Sequence, residues 1–236
     1  DRVAAGDRLF TMDATRAQAT LNTQTKQWIA LQAQQARLRA QRDGLAELVI
    51  DDRLAALARD HGLSELLEEQ QAEFSARLAR FRTEEVILRQ RATAGRQAIE
   101  GLEAQLESLE EQLAVVNEET DRKRDLLDQG LTTSSEYTNL LRSQADLVGQ
   151  IGSIVSRIEQ TRSQIIEARE QMARQETTRI EESLAQLNEI SLQIASVEEE
   201  LAAARDVLER LVVRAPSNCI IVTVPQTTSG NLLAPA

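Results

Sequence analysis

Apolar residues between Phe74 and Leu127 recur at alternating steps of four and three residues. Twelve of the sixteen positions reached in this way are apolar, and the spacing is kept over more than seven heptads. The exceptions are Glu85, Gly95, Thr120 and Lys123. A hydrophobic repeat of 3.5 residues over this length is typical of a coiled coil. The pattern therefore predicts one long helix with a single packing seam, which opens near its far end.

The repeat stops at Asp128, and a second helical pattern begins after a short turn. Gly130 suits the left-handed position that follows the end of a helix. Thr133 or Ser134 can cap the next helix, and Glu136 in its first turn complements the helix dipole. Two long amphipathic helices joined by a short link predict an antiparallel hairpin.

The returning helix repeats its apolar residues as far as Leu211. Two successive steps of three residues, from Leu184 to Leu187 to Ile190, predict a phase slip that locally overwinds the coil. At about 1.5 Å per residue this helix would span roughly 115 Å, and the outgoing limb has about 35 residues too many to match it. The excess predicts an extra short helix or doubled-back segment within residues 43–73, packed beside the hairpin.

These patterns predict a mainly α protein, a long antiparallel coiled-coil hairpin with an extra helical segment, within a helical domain over residues 14–211. We expect helices at about 14–42, 45–61, 64–128 and 134–211, with the hairpin tip at 128–134. Residues 1–13 and 212–236 instead carry short strand-like runs broken by Gly and Pro. Neither flank can bury a face alone, so we expect the two to pair as halves of one small β domain.

Composition and charge exclude several classes of protein. Only 2% of the residues are aromatic, which argues against a large α/β enzyme. Acidic residues outnumber basic ones by 38 to 27, so we expect no nucleic-acid partner. No apolar run is long enough to cross a bilayer, and no signal peptide opens the chain. Because the chain begins abruptly at Asp1, we expect it to be an excised fragment.

The chain carries no recognisable catalytic set, and we expect no enzyme activity, cofactor or metal. The single histidine, His61, precedes Gly62 and is expected to end a helix rather than to ligate a metal. Cys219 has no basic neighbour that would lower its pKa. A lipoyl or biotinyl carrier needs a lysine at a hairpin tip, whereas Lys26 and Lys123 both lie in helical stretches.

The turn between the two long helices groups Arg122, Leu126, Leu131, Glu136 and Tyr137. A bare turn needs only a glycine and a cap, so this grouping is compatible with a partner-docking tip. From the residue types alone, a plain turn that contacts only solvent is an equally good interpretation.

The order of these pieces resembles the periplasmic adaptors, or membrane fusion proteins, of the HlyD type. Within that family the chain is similar to the type I secretion branch that exports proteases, lipases and toxins. Residues Val3–Phe10 with Asp13 resemble the first lipoyl-like half-motif of the family. The second half-motif is resembled by Arg214-Ala215-Pro216 followed by Ile220, Val222, Thr228, Gly230 and Pro235. The long helices fit the same branch at Gln70 with Glu73–Arg77, at Leu127–Leu131, at Leu140–Arg142 and at Leu147–Gly149. One departure is Asn218-Cys219, where the family usually has Asp-Gly.

The tip also resembles the family pattern of Arg, Leu four residues on, Ser seven further and Glu three beyond. Here those places hold Arg122, Leu126, Thr133 and Glu136, followed by Tyr137. Thr replaces Ser and keeps the hydroxyl. The resemblance implies that these five residues meet the periplasmic end of a TolC-like outer-membrane channel.

The resemblance implies a periplasmic adaptor that bridges an inner-membrane ABC transporter to that channel while a secreted polypeptide passes through. It also implies a homo-oligomer, with a hexamer expected, and an inner-membrane anchor in an N-terminal segment that this chain lacks. An adaptor of a small-molecule efflux pump shares the architecture and remains an alternative. A tethering coiled coil is a further alternative, and it predicts a parallel dimer instead of an intramolecular hairpin.

Overall fold

A computed structural model of the protein describes residues 2–221, and the chain forms two compact units. The first unit contains Asp1–Ser75 with Glu182–Ala236, and the second contains Ala76–Glu181. In chain order the elements are β1 (Arg2–Val3), β2 (Arg8–Thr11), α1 (Thr15–Arg42), α2 (Asp52–Asp60), α3 (Ser64–Asp128), α4 (Ser134–Arg210), β3 (Val212–Arg214) and β4 (Cys219–Ile220). Both long helices contribute residues to both units.

The two flanks of the helical segment pair with each other, which confirms that prediction for the described strands. Strand β1 is antiparallel to β4, and β2 is antiparallel to β3 with an irregularity between Arg8 and Phe10. The amide of Ala5 donates to Asn218 Oδ1 at 2.8 Å, so the Asn of the unusual Asn-Cys turn ties the two flanks together. No described non-glycine residue, Asn218 included, has a positive φ. The half-motif positions from Val222 onward, with Thr228, Gly230 and Pro235, lie outside the described residues, and the lipoyl-like domain stays a prediction.

In the first unit, α1 packs against the C-terminal part of α4. The core cluster joins Leu31 and Leu38 of α1 to Leu187, Ile190, Ile194, Val197 and Leu201 of α4. Trp28 packs against this cluster, and its indole N–H donates to Glu198 at 3.0 Å. At the start of α1, Asp13 Oδ1 accepts hydrogen bonds from the Thr15 hydroxyl and amide, which hold the pKa of Asp13 below its ordinary value.

The predicted phase slip near Leu184 is wrong. Ser183 is the buried residue there, with 4% of its surface exposed, whereas Leu184 is 42% exposed. The buried positions therefore run from Ser183 to Leu187 to Ile190 in steps of four and three. The sequence pattern favoured Leu184 because its side chain is apolar. The smaller Ser183 is buried instead, because a small hydroxyl residue also fits a close contact between helices.

The extra helix predicted for residues 45–61 is present as α2, but it begins only at Asp52. Asp51 caps this helix, since its carboxylate accepts the amide of Arg53 at 2.8 Å. The preceding residues 45–51 are not helical, and Leu48 within them is buried. Helix α2 ends at Asp60, and its C-cap residue His61 is followed by Gly62 with φ +69°, which confirms the helix-ending interpretation of the single histidine.

In the second unit, α3 and α4 form the predicted antiparallel pair through the predicted seam. One cluster joins Leu88 and Ala92 to Ile165 and Ala168, and another joins Leu102 to Ile154 and Ile158. Gly95, an exception in the hydrophobic pattern, lies so close to Ile165 that a Cβ atom would stand 2.7 Å from Ile165 Cγ1. The seam is therefore filled within one chain, which contradicts the parallel dimer expected of a tethering coiled coil.

Candidate functional site

The candidate site comprises the hairpin tip and the helix ends beside it, residues 122–137, and the backbone of the α3 C-terminus closes it. Gly130 has φ +73°, and its amide donates to the Leu127 carbonyl at 2.9 Å. The amide of Leu131 donates to the Leu126 carbonyl at 2.9 Å. These two bonds form a Schellman motif, which satisfies carbonyls at the end of a helix and needs a residue that tolerates a positive φ. The chain therefore reverses within a few residues, as predicted from Gly130.

Thr133 begins the return helix as its N-cap residue. The amide of Glu136 donates to Thr133 Oγ1 at 3.4 Å, and the amide of Tyr137 donates to the Thr133 carbonyl at 3.4 Å. Thr-Ser-Ser-Glu has the spacing of a capping box, in which the acidic side chain normally reaches back to the cap amide. Here the Glu136 carboxylate is used differently.

The Glu136 carboxylate links the two limbs of the tip. Its Oε2 accepts hydrogen bonds from Lys123 Nζ of α3 at 2.6 Å and from the Thr132 hydroxyl at 2.7 Å. The hydrogen bond from Lys123 is the main cause that holds the pKa of Glu136 below its ordinary value, followed by the Thr132 bond and the charge of Lys123. The Lys123–Glu136–Thr132 set therefore fixes how the turn is held against α3.

The five predicted docking residues fall into two groups. Arg122 and Leu126 lie four residues apart on α3 and are exposed at the surface, with 37% of Leu126 accessible. The Arg122 Nε donates to the Glu118 carbonyl of its own helix at 3.3 Å, so the guanidinium stays at the surface of α3. Thr133 and Glu136 serve the cap and the cross-link, and Tyr137 is half-buried.

Three tip residues outside that predicted set also shape the site. Leu131 is 69% exposed at the apex of the turn. Lys123 and Thr132 hold Glu136. The signal for Lys123 was present in the sequence as a basic residue at a seam position, thirteen residues before an acidic one. Its partner could not be identified, because the geometry of the turn sets which residues meet.

A second polar cluster lies in the first unit, at the start of the long helix. Arg37 of α1 is buried, its Nε donates to Gln70 Oε1 at 2.8 Å, and its Nη1 lies 3.3 Å from Glu73 Oε1. Phe74, next to Glu73, is also buried. Gln70 and Glu73 of the family-like stretch thus contact the buried guanidinium of Arg37. This indicates that both residues help to pack α1 against α3.

No group of three or more His, Cys, Asp or Glu residues within residues 2–221 is arranged to hold a metal ion. Among the helices the structure describes, none combines the length and the apolar character needed to cross a bilayer.

Comparison with known proteins places nearly the whole helical segment in one family. Residues 17–207 match the family model described as AprE, long alpha-helical hairpin. The type I secretion system membrane fusion protein PrsE of Rhizobium meliloti (strain 1021) is 30% identical over 235 residues, which is 100% of this chain and 54% of that protein. The chain therefore spans about half the length of this curated relative.

Two solved structures share the fold. The soluble domain of LipC, a membrane fusion protein of a type I secretion system, superposes with a TM-score of 0.89 over 92% of this chain and 82% of that chain, at 23% identity. The periplasmic adaptor protein EmrA gives a TM-score of 0.52 over 92% of this chain and 58% of that chain, at 19% identity. At these identities the likeness concerns the fold.

Proposed function

Because this chain belongs to the AprE family of long alpha-helical hairpins, we propose that it is the hairpin-bearing part of a periplasmic adaptor in a type I secretion system. The observation that carries the proposal is the 30% identity, over the entire chain, to PrsE, a type I secretion system membrane fusion protein. The superposition on LipC, a membrane fusion protein of a type I secretion system, supports the fold on which this proposal rests. Such an adaptor has a structural role and performs no catalysis.

In this proposal the full-length protein is anchored in the inner membrane and reaches through the periplasm. It connects an ABC transporter to a TolC-like outer-membrane channel, and an unfolded polypeptide passes through the assembly. Several copies, with a hexamer expected, surround the path. A pump for small molecules would use the same architecture, but PrsE and LipC are both membrane fusion proteins of type I secretion systems.

The tip is the part of the chain that docks with the channel. Arg122 offers an exposed guanidinium, while Leu126 and Leu131 offer exposed apolar surface. A small contact of this kind gains affinity when apolar side chains become buried and a charge-assisted hydrogen bond forms at the rim. Thr133, Glu136 and Tyr137 shape the turn that presents these groups.

The test replaces Arg122, Leu126 and Leu131 together by Ala in the full-length protein in its own cells. The outer-membrane channel should no longer co-purify with the adaptor, and the secreted polypeptide should disappear from the medium. The matched control is Arg174→Ala with Leu192→Ala, which removes exposed residues of the same types away from the tip. Normal channel capture and secretion by the triple variant would overturn the docking assignment.

A further inference from the structure

An exposed apolar stripe runs along α4 in the second unit. Leu141, Val148 and Val155 stand one heptad apart and are 39% to 53% exposed, although similar residues in the seam are buried. Ala145 and Gly152 fill the places between them and are also exposed. The stripe thus carries no charged side chain over four turns, in a chain with 28% charged residues. Contiguous exposed apolar surface of this kind usually marks an interaction site.

The opposite flank of the same helix pair carries a shallow groove. It has a volume of about 390 Å³, and its lining consists of Gln105, Ser108, Leu109, Gln112, Gln150, Ser153 and Ile154. Gln150 follows Val148 by two residues, which is about 200° around a helix, so the stripe and the groove face opposite ways. The Arg162–Glu103 contact at 3.3 Å, one heptad beyond Val155, lies on the flank of the stripe.

The stripe and the groove lie at the same level along the helix pair. Asn117 of α3 and Gln144 of α4 are in contact at 2.8 Å. Because the two helices are antiparallel, moving five residues back from Asn117 and four residues on from Gln144 reaches the level of Gln112 and Val148. Copies related by rotation about a common axis keep equal heights, so two opposite flanks at one level can meet in a closed ring.

We infer that the α4 stripe of one copy packs into the glutamine-lined groove of the next copy, so that the hairpins stand side by side. This inference rests on the proposed homo-oligomeric adaptor and names the surfaces that join its subunits. The occupant is a second copy of this chain, because each copy carries the stripe and the groove on opposite flanks at the same level. Its lining has amide, hydroxyl and apolar groups without a carboxylate, so covering it buries no unpaired charge.

The two flanks are also complementary in hydrogen bonding. Glu110 lies on the stripe side of α3, one heptad from Glu103, and is exposed. The side-chain amides of the facing groove can donate hydrogen bonds to this carboxylate. The stripe has five residues, whereas each side of a standard interface has roughly 20–30, so the contact forms within an assembly already held together elsewhere.

The test is disulfide cross-linking in the full-length protein, in membranes, in a Cys219→Ser background. Val148→Cys combined with Gln112→Cys should give a ladder of multimers after oxidation with copper phenanthroline, because one residue lies on each flank. Either single variant should give no ladder. The matched control is Gly149→Cys combined with Gln112→Cys, since Gly149 is at the same level but about 100° away around α4. Adding Val155→Glu to the reactive pair should lower the ladder yield at least about tenfold, which corresponds to about 1.4 kcal/mol.

The absence of a ladder from the Val148–Gln112 pair would overturn the inference, as would an equal ladder from the Gly149 control. A product between Val148→Cys and a different protein would also overturn it, because the stripe would then have another occupant. Secretion is measured in the same cells and is a separate readout. A ladder without secretion would retain the inference and count against the proposed function, whereas secretion without a ladder would do the reverse.

Discussion

Gly95 and Gly101 lie six residues apart in α3 and should respond to alanine with opposite signs. A Cβ at Gly101 would have nothing within 4 Å, whereas a Cβ at Gly95 would stand 2.7 Å from Ile165 Cγ1 and 3.1 Å from Ile165 Cδ1. Both positions are within the helix, so alanine at either one should give the same gain in helix propensity. Any difference between them therefore measures how tightly α3 and α4 approach each other at the seam.

The size of the helix-propensity gain and the cost of overpacking determine whether each substitution stabilises or destabilises the protein. Replacing a helix glycine by alanine raises the free energy of unfolding by about 0.5–1 kcal/mol. At Gly95 the new methyl group also overpacks the seam, which typically costs about 1–3 kcal/mol. We expect Gly101→Ala to stabilise the protein and Gly95→Ala to destabilise it, with a difference of about 1–3 kcal/mol between the variants.

The assay is urea unfolding of the purified chain followed by far-UV circular dichroism, with both variants compared at equal concentration. A double-mutant cycle with Ile165→Ala tests the cause, because that change removes the two atoms in close contact. In the Ile165→Ala background, Gly95→Ala should become stabilising, with a coupling energy of about 1–3 kcal/mol. Equal stabilisation by Gly95→Ala and Gly101→Ala in the wild-type background would refute the close approach.

Three further predictions concern other parts of the chain. Arg37→Ala should lower the free energy of unfolding by about 2 kcal/mol in urea melts, because it removes a buried guanidinium that is hydrogen-bonded to Gln70 and paired with the partly exposed Glu73. Exposed Arg39→Ala should change it by less than about 0.5 kcal/mol. The stabilisation from ionised Glu136 should be complete above its ordinary pKa of 4.5 and be lost as the pH falls through the lower folded value. An NMR titration should show that lower midpoint and its rise in Lys123→Met, and an unchanged midpoint would contradict the link. Gly130→Ala should cost about 1–2 kcal/mol in urea melts because φ is +73°, and Gly130→Asn should cost less.

Local periodicity was sufficient to predict the pairing of α3 and α4. A heptad seam depends only on spacing along one helix, so Leu88, Leu102 and Ile158 could be assigned without knowing their partners. The same reasoning failed at Ser183, where a small polar residue is buried. It also failed for the start of α2, because a side-chain cap at Asp51 outweighed the apolar run before it.

Arg37 shows what periodicity leaves out. A charged residue in α1 reads as solvent-exposed unless its partners are known, and Gln70 and Glu73 lie more than thirty residues further along the chain. The family-like stretch at Gln70–Arg77 pointed to the right segment, but its resemblance did not say what these side chains contact. Only the packing of α1 against α3 brings the three residues together.

At the tip, internal contacts separate the groups that can bind a partner from those that hold the turn. The Glu136 carboxylate already accepts bonds from Lys123 and Thr132, so docking through it would first break charge-assisted hydrogen bonds. Leu131 has no such cost, since most of its side chain already faces solvent and gains free energy when a partner covers it. A motif that names Glu136 and omits Leu131 therefore combines two roles. Its Glu136 builds the turn and its Arg122 and Leu126 are exposed, and in the proposed docking the affinity for a channel depends on the exposed side chains that the turn presents.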